Sequence, residues 1–99
     1  YTSPHISLFM ERIQVNGEMI SENDVLRLLP PIMQITKASF FDYTTALAFA
    51  YFAEKKVDLA VIEVGIGGRH DSTNVIDPIL SIITSIDYDH THLLGSSLE

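Results

Sequence analysis

The stretch Val57–Asn74, which reads V-D-L-A-V-I-E-V-G-I-G-G-R-H-D-S-T-N, constrains the fold of this chain more than any other segment. A run of small and branched apolar residues ends at Ile62, a carboxylate follows at Glu63, and a glycine-rich loop comes next. Such an apolar run predicts a strand that is buried on both faces of a sheet. Because α/β proteins bind ligands beyond the carboxyl ends of their strands, we expect a functional site at Glu63.

A second apolar run, Ile79–Ile86, also predicts a buried strand, and it too ends in a polar cluster, Asp87–His90. If the two strands are parallel neighbours, both polar ends emerge at the same edge of the sheet. The connection Val64–Pro78 has no helical periodicity and is barely long enough for a parallel crossover. Antiparallel pairing therefore stays open on local grounds.

A small hairpin and a helix are predicted earlier in the chain. Asn16-Gly17 lies between the short alternating segments Arg12–Val15 and Glu18–Ile20, and an Asn-Gly pair favours a two-residue hairpin turn. Ser21, with Asp24 three residues later, predicts the start of a helix. Its apolar face has helical spacing and comprises Val25, Leu28, Leu29 and Ile32.

Two prolines, Pro30 and Pro31, interrupt this pattern without shifting its phase, so we expect a kink followed by resumed helix. A second helix is predicted over Tyr43–Phe52, with Ser39–Asp42 as its cap. It is apolar on nearly every side until Glu54–Lys56, which predicts a buried helix with a basic last turn.

Composition limits the size of the core and the class of partner. The 99 residues, 46% of them hydrophobic, suffice for one modest core, which indicates one domain or part of one. Thirteen acidic against six basic residues disfavour nucleic acid and anionic membranes as partners. The chain has no cysteine, no apolar run near the roughly 20 residues of a membrane span and no signal sequence. We therefore expect a soluble, cytoplasmic protein.

The start of the chain suggests an excerpt from a longer protein, whereas its end leaves two origins open. Tyr1 has no initiator methionine before it, and Leu98-Glu99 is either native sequence or a remnant of expression. No G-x-x-x-x-G-K-[ST] loop is present, and the lysines are confined to Lys37, Lys55 and Lys56. The chain therefore cannot be a complete P-loop enzyme by itself.

Several polar residues have both a chemical and an ordinary structural interpretation. Glu63 is either a ligand for a hard cation such as Mg²⁺ or a strand-end carboxylate that faces solvent. His90 is either a metal ligand or acid–base group, or a surface histidine like His92. Ser3 offers a hydroxyl to a metal or belongs to an ordinary turn. Ser39–Asp42 forms a helix cap or a wall against a flat ligand ring.

Five segments together resemble one known family. They read Y-T-S-P-H, E-R-I-x-V-N-G-E-x-I-S, S-F-F-D-Y-T-T-A-L-A-F-x-Y-F, E-V-G-I-G-G-R-x-D-S-T-N-V-I-D-P and I-T-S-I-x-x-D-H-x-x-x-L-G, in this order from Tyr1 to about Glu99. In sequence and spacing they closely resemble folylpolyglutamate synthase/dihydrofolate synthase, a family of the Mur ligase superfamily. The implied fold is an α/β, P-loop-type parallel sheet with flanking helices and a small hairpin.

The resemblance implies an ATP-dependent amide ligase. In such an enzyme a substrate carboxylate takes the γ-phosphoryl group of ATP, and the amino group of glutamate attacks the acyl phosphate. By the same resemblance Ser3 and Glu63 bind one Mg²⁺ and His90 binds a second, which requires the two predicted strands to be parallel. No covalent nucleophile is implied, because the protein mainly positions reactants and neutralises charge.

The resemblance also implies a pteroate-binding segment and a set of missing parts. The residues expected to contact the pteroate ring are Ser39, Phe40, Phe41 and Asp42, with His70 and Asp71 beside them. Asp42 stands where the family usually has Glu, a change that either shortens the reach of this side chain or alters only the cap. The implied missing parts are an upstream P-loop, a lysine-bearing downstream segment and a C-terminal domain.

Residues 1–99 are therefore expected to be an inactive fragment of the ATP-binding domain of a folate ligase. The partners of the parent are then folate or dihydropteroate, ATP and L-glutamate, and the fragment self-associates through exposed sheet edges. Two alternatives stay open: another Mur-type ligase, such as one acting on a muramoyl substrate, and a non-catalytic structural fragment.

Overall fold

The computed structural model describes residues 1–35 and 37–97, so the open question of Leu98-Glu99 lies outside the described residues. The elements, in chain order, are a 3-10 helix (Phe9–Arg12), strands β1 (Gln14–Val15) and β2 (Glu18–Met19), and helices α1 (Glu22–Met33), α2 (Phe40–Lys55) and α3 (Thr91–Leu94). No helix in these two ranges is both long enough and apolar enough to cross a membrane.

The predicted hairpin is confirmed, and its turn has the geometry that an Asn-Gly pair allows. Asn16 and Gly17 both have positive φ angles, 54° and 82°, as a type I′ turn requires. The strands β1 and β2 are antiparallel, and the Ile20 amide extends the pairing by donating to the Ile13 carbonyl. Arg12, which was expected in the first strand, instead ends the 3-10 helix.

Helix α1 begins at the predicted cap, where the Ser21 hydroxyl accepts a hydrogen bond from the Asp24 amide at 3.1 Å. The helix continues through Pro30 and Pro31 to Met33, as the unbroken apolar phase predicts. On its outer face Arg27 bonds both carboxylate oxygens of Glu54 in α2 at 2.7 and 2.8 Å. This exposed pair fastens the two helices on the solvent side of their apolar contact.

Helix α2 supplies the centre of the core. Its buried residues are Thr44, Thr45, Leu47, Ala48, Tyr51 and Phe52. The core also includes Tyr1, Ile13 and Ile20, so the chain start and the hairpin pack against this helix. Lys56 ends α2 in the left-handed conformation, with its amide bonded to the helix carbonyls.

The α/β class is confirmed, but the described residues do not form the expected parallel sheet. Between residues 1–35 and 37–97 the one sheet is the antiparallel pair of β1 and β2. Residues 57–62 and 79–86 carry no strand assignment, because a strand exists only through hydrogen bonds to a neighbour. Their apolar side chains stay largely exposed: Ile79 is 90% and Ile82 is 78% accessible to solvent.

Candidate functional site

The chain start lies alongside the apolar run that precedes Glu63. The Tyr1 nitrogen donates to the Val61 carbonyl at 2.8 Å, and the Glu63 amide donates to the Tyr1 carbonyl at 3.0 Å. The N–H of Tyr1 thus bonds one residue, and its C=O bonds the residue two positions later. This is the hydrogen-bond pattern between parallel strands. It covers a single residue, so it does not amount to a sheet.

This pairing brings together two of the predicted metal ligands. The Ser3 amide donates a 2.8 Å hydrogen bond to Oε2 of the Glu63 carboxylate. Glu63 is exposed, as expected for an acid at the end of an apolar run. A serine hydroxyl and a carboxylate thus belong to neighbouring residues that are sixty positions apart in the sequence.

Two aromatic residues at the start of α2 form a wall next to this pair. The ring of Phe41 lies 6.0 Å from that of Tyr1, and the ring of Phe40 contacts Phe9 edge-on at 6.1 Å. The turn below them is a full capping box: Ser39 accepts from the Asp42 amide, and Asp42 accepts from the Ser39 amide at 2.8 Å. The predicted cap is confirmed, while a role of the two rings as a wall against a ligand stays a prediction.

Asp71 organises the glycine-rich loop. One of its carboxylate oxygens accepts from the Ile66 amide at 2.7 Å, and the other accepts from the amide and the hydroxyl of Thr73 at 2.9 and 2.6 Å. Thr73 is only 3% exposed, so the turn closes around a buried hydroxyl. Gly65 is needed here for space, because a Cβ atom would lie 2.6 Å from the Phe41 ring and 2.9 Å from Asp71.

Asp42 connects this loop to helix α2. Its Oδ1 accepts a 2.5 Å hydrogen bond from the Ser72 hydroxyl, while its Oδ2 accepts from Ser39. The bonds from Ser72 and Ser39 hold the pKa of Asp42 below its ordinary value of 3.8. Asp42 thus caps the helix and also reaches the loop.

These elements enclose a cavity of about 670 Å³. Among its lining residues are six of the nine predicted site residues: Ser3, Ser39, Phe40, Phe41, His70 and Asp71. Glu63 does not line the cavity but accepts a hydrogen bond from Ser3, which does. Asp42 likewise does not line it but bonds to two lining residues, Ser39 and Ser72. The volume is within the range of about 300–1,000 Å³ that is usual for small-molecule sites.

His90 is not among the cavity residues. It is exposed, has a φ of 44° and precedes α3, with its Nε2 3.8 Å from the Asp89 carboxylate. The helix it precedes does reach the site, because Leu93 and Leu94 line the cavity and Leu94 packs against Gly67. In the described ranges no cluster of three or more His, Cys, Asp or Glu residues is arranged to hold a metal ion.

Sequence reasoning missed Arg12 as a cavity residue. Its side chain is 8% exposed, lines the cavity and lies over the Phe40 ring at 5.3 Å from the ring centroid. Leu93 and Leu94 were missed as well. The arginine had a sequence signal, since it belongs to the E-R-I segment, but no local pattern distinguishes a buried arginine from a surface one.

Three curated relatives match the full chain or nearly so. It is 44% identical to "Dihydrofolate synthase/folylpolyglutamate synthase" of Bacillus subtilis, with 100% of the chain and 25% of that relative aligned. It is 42% identical to "Folylpolyglutamate synthase" of Lacticaseibacillus casei, with 99% of the chain and 25% of the relative aligned. The third, "Folylpolyglutamate synthase, mitochondrial" of Bos taurus, is 40% identical over 100% of the chain and 19% of its own length.

The chain therefore spans about a quarter of the length of its bacterial relatives. No protein-family model matches the chain. No solved structure matches it either.

Replacing Gly65 by alanine is expected to displace the Phe41 ring, since the added Cβ has no room. Overpacking of this kind costs about 1–3 kcal/mol of unfolding free energy. Gly68→Ala is the matched control: nothing lies within 4 Å of its Cβ, but its φ of 87° makes alanine cost about 1–2 kcal/mol. Both variants lose stability in denaturant, whereas only Gly65→Ala shifts the Phe41 ring resonances by NMR. An unchanged Phe41 spectrum in Gly65→Ala would contradict the packing described.

Asp71 is expected to make stability depend on acid pH. Burial raises its pKa, but the hydrogen bonds from Thr73 and Ile66 outweigh burial and bring the pKa below 3.8. The unfolded state then binds the proton more tightly, so this contribution is complete above about pH 4 and is lost as pH falls through the lower folded pKa. Unfolding free energies of wild type and Asp71→Asn, measured from pH 6 to pH 2.5, should converge in acid. A constant difference would contradict this assignment.

Proposed function

The chain belongs to the folylpolyglutamate synthase/dihydrofolate synthase family, and on this premise we propose that it is part of the ATP-binding domain of a longer ligase. The ligase adds L-glutamate to folates, and to dihydropteroate where it also makes dihydrofolate, in an ATP- and Mg²⁺-dependent reaction. The main support is the meeting of Ser3, Ser39, Phe40, Phe41, His70 and Asp71 around one cavity. These residues come from three separate segments, and each was expected at the site from the resemblance alone.

The pteroate ring is proposed to lie in this cavity. Phe40 and Phe41 offer flat apolar faces, and the loop from Gly65 to Ser72 forms the facing side. The carboxylate of Asp71 is occupied by bonds within the loop, so its proposed role is to hold the loop in shape for the ring. His70, whose side chain makes no hydrogen bond among residues 1–35 and 37–97, offers a polar group at this edge.

Magnesium is proposed to bind at Ser3 and Glu63, with His90 as a ligand to a second ion. The donors suit the metal, because Mg²⁺ prefers carboxylate and other hard oxygen ligands together with water and phosphate oxygens. Glu63 has one oxygen bonded to the Ser3 amide, and its other oxygen accepts no hydrogen bond among residues 1–35 and 37–97. The bound ions would neutralise charge on the phosphates of ATP.

In the proposed reaction a folate carboxylate attacks the γ-phosphorus of ATP, and ADP leaves. The amino group of glutamate then attacks the acyl carbon, inorganic phosphate leaves with the bonding pair, and the nitrogen loses a proton as the amide forms. The residues of this chain bind and orient the folate and exclude water; none forms a covalent bond. The phosphates of ATP are proposed to bind a P-loop elsewhere in the longer protein, because no such motif occurs in these 99 residues.

Residues 57–62 and 79–86 are proposed to be parallel strands in the longer protein. The pairing of Tyr1 with Val61 and Glu63 supports this, because its hydrogen bonds run as they do between parallel strands. The exposed apolar side chains of both runs support it as well, since parallel sheets are normally covered on both faces.

Glu63→Ala in the full-length enzyme is expected to lower ATP- and glutamate-dependent ligation by at least about a hundredfold. Loss of residues that merely support a metal ligand typically costs ten- to a hundredfold, and a direct ligand should cost more. Glu54→Ala is the control, because Glu54 only pairs with Arg27 at the surface. Near wild-type turnover of Glu63→Ala would exclude its role. A substrate panel completes the test, since turnover of a UDP-muramoyl substrate in place of a pteroate would exclude the folate assignment.

The 99-residue chain alone is expected to be inactive and to self-associate. The apolar residues of 79–86 are exposed and available to pair with a second copy. Sedimentation velocity over a range of concentrations should detect dimers or larger species. Ile82→Lys, which puts a charge in the middle of this run, should shift the population towards monomer. A concentration-independent monomer of the unmodified chain would contradict the expectation.

A further inference from the structure

Arg12 is a buried cation without a carboxylate partner. Its side chain is 8% exposed, and among residues 1–35 and 37–97 no Asp or Glu lies within 4.0 Å of its nitrogens. The chain as a whole carries a formal charge of −7, so acidic groups are abundant elsewhere. A buried charge is costly unless something pairs with it.

The surroundings of Arg12 hold the guanidinium in a defined orientation. Its Nε donates a 2.8 Å hydrogen bond to Nδ1 of His5, and its Cζ lies 5.3 Å from the centroid of the Phe40 ring. His5 in turn contacts the Phe9 ring edge-on at 6.3 Å. The bond to His5 uses one of five N–H donors, and the Tyr1 hydroxyl interacts with the same guanidinium, so the terminal nitrogens still keep donors for a ligand.

Asp71 is the carboxylate among the described residues that line the cavity, and it forms no ion pair with Arg12. Both oxygens of Asp71 accept hydrogen bonds from within the glycine-rich loop. The cavity is therefore lined by a guanidinium that is buried, oriented and without an ion-pair partner in the described part of the chain. A planar guanidinium of this kind matches a carboxylate, which it can bind through two parallel hydrogen bonds.

We propose that Arg12 is a specificity-determining residue that binds a carboxylate of the folate substrate, with His5 as the positioning residue that orients it. The proposal rests on the function proposed above. If Arg12 binds the carboxylate, the cavity prefers a carboxylic acid to an uncharged analogue of the same shape, and Arg12 causes this preference. Phe40 contributes by holding the guanidinium against its ring, where the cation is also stabilised.

The test compares pteroate with its carboxamide, which keeps the rings but lacks the charge. Binding to the full-length enzyme is measured by calorimetry without ATP or metal, so that no other added cation contributes. Wild type should prefer pteroate by about ten- to a hundredfold, the usual contribution of a hydrogen bond to a charged group. Arg12→Met should bind both ligands equally, with an affinity close to that of wild type for the carboxamide. Arg12→Lys keeps the charge and should recover part of the preference.

Arg27→Met is the matched control, because Arg27 is exposed and its ion pairs in the described ranges are with Asp24 and Glu54, away from the cavity. It should leave the preference for pteroate unchanged. If Arg12→Met does not fold, as judged by thermal unfolding, Arg12→Gln takes its place with the same expectation. An Arg12 variant that folds and keeps the full preference overturns the inference. If wild type itself fails to ligate glutamate to any folate, the proposed function fails instead.

Discussion

Two backbone hydrogen bonds of Tyr1, one to Val61 and one from Glu63, bring the start of the chain next to the segment that contains Glu63. They join residues sixty positions apart, and closing so long a loop has an entropy cost that local bonds do not have. The core compensates for it, because the Tyr1 side chain is buried against α2 and its hydroxyl bonds Thr45. Ser3 and Glu63 lie next to each other because of these two bonds, and Phe41 of α2 contacts the Tyr1 ring beside them.

Local signals predicted the local elements well. The Asn16-Gly17 turn and the caps at Ser21 and Ser39 depend on residues within four positions of each other, and the structure contains all three. The apolar runs 57–62 and 79–86 differ in kind. Their hydrophobicity indicates burial in a sheet, but strand pairing is a relation to another segment, and the described residues provide a single pairing residue for the first run.

The sequence predicted site residues only where a polar or aromatic side chain also belonged to one of the family-like motifs. Ser39, Phe40, Phe41, His70 and Asp71 were expected around one ligand, and they line one cavity. The resemblance assigned Asp71 to the ligand, while its hydrogen bonds serve the loop. Arg12 and Leu94 reach the cavity through the tertiary arrangement of the 3-10 helix and of α3, which no spacing rule within the sequence encodes. Whether Ser3, Glu63 and His90 bind magnesium stays a prediction.

The shared carboxylate of Asp42 has a consequence for motion. One of its oxygens accepts a hydrogen bond from Ser39 at the helix cap, and the other accepts one from the Ser72 hydroxyl of the loop. The loop therefore cannot move away from α2 without breaking the bond from Ser72. The bond from Ser72 can break by itself, because the cap bonds from Ser39 go to the other oxygen of Asp42. A hydrogen bond to a charged group contributes about 1.5–3 kcal/mol, so the loop is biased towards this arrangement and can move away while the first turn of α2 stays capped.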